Sequence, residues 1–67
     1  MRVQDNELHD FIRDFGRRNV NVTRERLLAV LKARFYERED PRQLIDRLEN
    51  LGLTETKNQC ITIRFIR

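Results

Sequence analysis

The stretch Asp40–Leu53, Asp-Pro-Arg-Gln-Leu-Ile-Asp-Arg-Leu-Glu-Asn-Leu-Gly-Leu, constrains this chain more than any other. It is a helix that carries both its start and its stop. Asp40 is placed to accept hydrogen bonds from the orphan amides of a first turn. Pro41 falls at the first helical position, where a missing N–H costs nothing. Gln43, three residues past the cap, is placed to reach back and close a capping box. Leu44, Ile45, Leu48 and Leu51 then lie at i, i+1, i+4 and i+7, a single helical stripe. Gly52 suits a left-handed terminator, and Leu53 suits the fold-back contact of a Schellman motif. Arg42, Asp46, Arg47, Glu49 and Asn50 are left over as a polar outer face. The predicted helix covers about 41–51.

Two further stripes precede it. Leu8, Phe11, Ile12 and Phe15 repeat at i, i+3, i+4 and i+7 and predict an amphipathic helix over about 7–18. Residues 1–6 read as a polar lead-in, with Asp5 or Asn6 as its cap and Asn19 as a left-handed terminator. Asn19-Val20-Asn21-Val22 alternates polar and β-branched residues, as a short edge strand does. Thr23 caps a second helix, about 24–35, whose stripe is Leu27, Leu28, Leu31 and Phe35. After the third helix, residues 53–66 form two β-rich runs split by Lys57-Asn58-Gln59, short enough for a hairpin with Asn58 at positive φ. Ile61, Ile63 and Phe65 share the face that belongs against the helices. Cys60, Thr62, Arg64 and Ile66 share the other.

The order is helix, strand, helix, helix, strand, strand. This is an α+β chain with three helices and a small two- or three-stranded antiparallel sheet, the layout of a winged helix-turn-helix. A plain three-helix bundle with a frayed β tail is the alternative. No repeat, low-complexity segment or linker divides residues 1–67, so one domain is expected.

Composition narrows the function classes. One cysteine, Cys60, excludes an internal disulfide and any cysteine-rich metal site; it reads as a small buried or half-buried residue at the start of a strand. His9 reads as a surface residue, and the chain contains no serine to act as a nucleophile. No ligand set suggests a metal, no glycine loop suggests a phosphate-bearing cofactor, and no apolar run reaches the length of a membrane span. The expectation is a non-catalytic, intracellular module without cofactor, nuclear in a eukaryote and otherwise cytoplasmic, either free-standing or part of a larger chain. Fourteen basic residues against eleven acidic leave a net charge of +3, in which acids and bases are interleaved.

Surface recognition remains. In this topology the third helix can enter a major groove, where arginine grips guanine and glutamine or asparagine grips adenine. Arg42, Gln43, Arg47 and Asn50 are the candidate base readers. Lys57 and Asn58 at the wing tip, with Gln59 beside them, and a basic patch of Arg17, Arg18, Arg24 and Arg26 are the candidate phosphate contacts. Asp46 and Glu49 oppose this, since each carboxylate works against counterion release. They also stand within helical reach of Arg42 and Arg47 and can consume them. The expectation is a DNA-associated module that contacts duplex DNA with the third helix, the wing tip and the Arg17–Arg26 region; a protein-interaction winged helix with little or no DNA binding is the alternative.

The run Leu48-Glu49-Asn50-Leu51-Gly52-Leu53, then Thr54-Glu55-Thr56, a short turn and Ile61-Thr62-Ile63-Arg64-Phe65, resembles the winged-helix domain that closes minichromosome maintenance (MCM) replicative helicases. That resemblance covers the C-terminal half. It implies a regulatory domain tethered to an ATPase ring, in contact with loading partners or weakly with DNA, and hence a replication or transcription protein. Walker and arginine-finger residues are missing, so any ATPase would belong to a parent chain. The same pattern is similar to the domain that ends cullin scaffolds, which serves protein contacts; the lysine context of that family is not matched by Lys32 or Lys57.

Overall fold

The computed structural model describes residues 2–64. Its elements run α1 (Asp5–Gly16), β1 (Asn21–Thr23), α2 (Arg24–Arg34), α3 (Pro41–Asn50), β2 (Thr54–Lys57) and β3 (Cys60–Ile63). The three strands form one antiparallel sheet in the order β1-β3-β2, so the strand latest in sequence is the central one. Val22 faces Ile61 across one ladder and Thr56 faces Ile61 across the other. The short segment before α2 thus completes a three-stranded sheet, as its alternation predicts. Phe65 and Ile66, expected to extend the last strand, lie outside the described residues.

The core is built from the predicted stripes. Leu8, Phe11 and Ile12 of α1, Leu27 and Leu31 of α2, and Leu44, Ile45 and Leu48 of α3 are buried, with Ile61 and Ile63 of β3 closing over them. Alternation along β3 decides the rest: Ile61 and Ile63 point inward and leave Cys60 exposed. The expected burial of Cys60 is therefore corrected by strand period, since it shares the outward face with Thr62. Phe11 stacks on Phe15 at 5.5 Å between ring centroids and meets Phe35 edge-on at 5.8 Å. Leu28 and Phe15 are only half-buried.

Most helix signals work as written. Asp40 Oδ1 accepts the Arg42 amide at 2.9 Å. At the other end of α3, Gly52 has φ 76°, its N–H donates to the Glu49 carbonyl at 2.9 Å, and the Leu53 N–H donates to the Leu48 carbonyl at 3.0 Å. That pair of bonds is the complete Schellman motif. Thr23 caps α2 through the Arg26 amide at 3.2 Å. The β2–β3 turn holds Asn58 at φ 59°.

Three signals resolve differently. Gln43 does not close a capping box onto Asp40; the Asp40 side chain instead satisfies the second amide of the helix. Gln4, not Asp5 or Asn6, stands at the start of α1, and Glu7 Oε2 reaches back to its N–H at 2.9 Å. α1 ends at Gly16 with Arg17 as its C-cap, and Asn19 is not left-handed; both its N–H and its Nδ2 donate to the Phe15 carbonyl, at 3.1 and 3.2 Å. The one unforeseen left-handed residue is Glu37, φ 59°, in the α2–α3 connection. A non-glycine residue there costs about 1 kcal/mol.

Candidate functional site

The cations of this chain fall into two populations, and the fold decides which is which. The first surrounds the N-terminal lead-in. Val3 is buried at 1 % exposure, so the polar lead-in contributes one residue to the core while Arg2, Gln4, Asp5 and Asn6 stay exposed. Its backbone is held on both sides. The Val3 N–H donates to Glu39 Oε1 at 3.1 Å, and Arg47 Nη1 donates to the Val3 carbonyl at 2.6 Å. Arg47 Nη1 also donates to Glu39 Oε1 at 2.8 Å, and its Nη2 to Asp5 Oδ1 at 2.6 Å. The Arg47 and Glu39 side chains are only 13 % and 9 % exposed, so this pair is largely desolvated. Alongside, Arg38 grips Glu7 through two parallel bonds of 2.7 and 2.9 Å. That fork is the strong form of a charge-assisted contact.

The left-handed turn at Glu37 leads directly into Arg38 and Glu39, the two residues of the connection that grip the lead-in. Arg38, by hydrogen bonding first, with the Gln4 amide second, holds the Glu7 carboxyl down at about 2. Asp40 also lies below its ordinary value, because the Arg42 side chain and then the Arg42 amide donate to it. Arg42 Nη2 lies 3.0 Å from Asp40 Oδ2. Of the candidate readers on α3, therefore, Arg47 belongs to the interior of the clamp and not to the outer face. Arg42 is exposed but folded back on its own cap. Gln43 and Asn50 are exposed, and so is Asp46 between them. Glu49 accepts the Thr56 N–H at 3.2 Å, occupying a donor of the edge strand β2, and pairs with no arginine among the described residues.

The second population lies across the molecule's α1–α2 face. Arg17 and Arg18 follow α1; Arg26 and Arg34 stand on α2. All four line one shallow groove whose floor contains Phe15 and Val30. The spacing explains the α2 side: Arg26, Val30, Ala33 and Arg34 fall at i, i+4, i+7 and i+8, one stripe of a helix. No salt bridge among the described residues involves these four arginines; Asp14 is the sole carboxylate in the groove lining. Arg24, predicted with this patch, is not part of the groove; it is half-buried, and its N–H donates to the Gln59 carbonyl at 2.9 Å. Lys57 and Asn58 are exposed at the β2–β3 turn. The structure thus joins Arg17, Arg18 and Arg26, adds Arg34, and leaves Arg42, Gln43 and Asn50 on a separate element.

Among the described residues no group of three or more His, Cys, Asp or Glu is arranged to hold a metal ion, and no helix is long and apolar enough to cross a membrane. Neither family models, nor the sequences of curated proteins, nor solved structures give a significant match to this chain.

Proposed function

We propose that this chain is a non-catalytic module of the winged-helix type that works by binding a protein partner, with α3 organising the domain instead of reading bases. One observation carries this reading: the arginines of α3 are engaged by carboxylates of the chain itself, Arg47 by Glu39 and Asp5, and Arg42 by Asp40. A helix that entered a major groove with Asp46 exposed and its cations committed elsewhere would oppose the counterion release that drives DNA binding.

A second reading has its own support. Arg17, Arg18, Arg26 and Lys57 hold no carboxylate among the described residues and suit the phosphates of duplex DNA. Titration with duplex DNA at two salt concentrations separates the two. The protein-binding reading predicts no binding that depends on Arg42, Gln43 or Asn50. Binding at low salt that falls steeply with added salt and disappears in Arg42→Ala or Asn50→Ala overturns it. Binding indifferent to those changes, with the salt slope reduced by about 1 on Arg17→Ala, assigns the basic patch to phosphates. Arg47→Ala is not a usable probe of DNA contact, because it dismantles the clamp.

A further inference from the structure

The α1–α2 groove has two properties that seldom coincide on a surface with one duty. Its rim is cationic, formed by Arg17, Arg18, Arg26 and Arg34, and its floor is apolar, formed by Phe15 and Val30 with Ala33 beside them. Phe15 stacks on Phe11 and packs against the core, so the floor is continuous with it. A phosphate backbone has use for the rim and none for the floor. A helix or extended segment of a partner uses both, by seating an apolar side chain between the helices while its carboxylates meet the guanidiniums. Charge complementarity requires the segment to be acidic, because Asp14 is the only carboxylate among the lining residues.

We infer that the α1–α2 groove is a docking site for an acidic, amphipathic segment of a partner protein, anchored by a large apolar side chain over Phe15 and Val30. This rests on the reading of the chain as a protein-binding module and names the chemistry of the partner. Arginines at the rim set orientation and encounter rate, and the apolar anchor sets residence time. Arg17, Arg18, Arg26 and Arg34 are exposed and form no salt bridge among the described residues, and Ala33 is exposed on the same face.

Fluorescence anisotropy with the full chain tests it against three labelled probes: a short peptide of Asp, Glu, Leu and Phe, the same peptide with Ser replacing Leu and Phe, and a duplex DNA of matched charge. The acidic-apolar peptide is expected to bind about tenfold or more tightly than the other two. Ala33→Glu, which sets a carboxylate beside the apolar floor, and Arg26→Glu, which reverses one rim charge, are each expected to weaken it about tenfold. At position 26 an acid favours the helix start, so unchanged circular dichroism melting is expected for Arg26→Glu; at position 33, in the last turn of α2, it opposes the helix dipole, and a small drop is expected. Equal or tighter binding of the serine peptide or of the DNA overturns the proposal in favour of a charge-only site. Failure of the acidic-apolar peptide to bind, or binding indifferent to both substitutions, overturns it as well. These outcomes differ from the α3-dependent DNA binding that overturns the wider reading.

Discussion

The clamp around Val3 and the groove beside Phe15 are both built from arginines, and they have opposite fates. In the clamp, Arg47 meets two carboxylates and a backbone carbonyl within hydrogen-bond distance. In the groove, four arginines stand over apolar side chains with a single aspartate in the lining and no ion pair among the described residues. The difference teaches that a residue type announces a charge but not its employment. Arg47 is structural because α3 presents it to Glu39 and to the lead-in. Arg26 is available because the stripe it shares with Val30 faces a gap between helices.

The comparison can be broken or sharpened by experiment. The largest effect is expected for Arg47→Ala, which leaves the Glu39 carboxylate and the Val3 carbonyl nearly buried and without their cation. About 3 kcal/mol of stability should be lost, measured as a lower midpoint in urea denaturation. In a domain of this size that is a substantial share of the total. A loss no greater than that of a groove arginine would erase the distinction between the two regions.

The next effect is a dependence on pH. The Glu7 carboxyl is held at about 2 in the fold against an ordinary 4.5, chiefly by Arg38. Its folded value is depressed, so its contribution is fully present above about pH 4.5 and is lost as pH falls toward 2. Acid titration of melting temperature should therefore decline more steeply in that window for the native chain than for Glu7→Gln. Parallel curves would show that the Arg38 fork adds nothing. The smallest effect is expected for Arg17→Ala and Arg18→Ala, each within about 0.5 kcal/mol of the native chain. A larger loss would mean that the groove rim holds the fold together and is not free to meet a partner.

Much of the architecture could be read from local signals that carry their own physics. The Pro41 start and Gly52 stop of α3, the Thr23 cap of α2 and the Asn58 turn each depend on residues within a few positions of one another. Sequence displays such relations directly. The clamp could not be read that way. Val3 meets Glu39 and Arg47 across 36 and 44 residues, and no local pattern marks one residue of a polar lead-in as core. Nor does anything in Tyr36-Glu37-Arg38-Glu39 signal the left-handed turn at Glu37, since neither glycine nor asparagine is present. The basic patch was half legible. Arg17, Arg18 and Arg26 stand out by charge, whereas Arg34 joins them because α2 brings it round two turns later, and Arg24 is turned away because it stands two positions from Arg26, on the opposite side of the helix. Cys60 was misplaced for a simpler reason: alternation along β3 reads correctly, but composition alone favours burying a cysteine.

The position of β3 in the sheet bears on how the chain is made. A ribosome delivers β1 long before β3, its neighbour in the sheet, whereas β2 comes just ahead of β3, and the two outer strands are not paired with each other. Asn21 waits for Thr62, 41 residues downstream, and Thr54 for Ile63. Until then the nascent chain holds capped helices and two strand segments with unmet amides, a state in which edges invite foreign strands. Sheet and core lid, Ile61 and Ile63, arrive together in one short segment. The β1 ladder, unlike the local β2–β3 hairpin, can therefore form only once the segment that also covers the core is available.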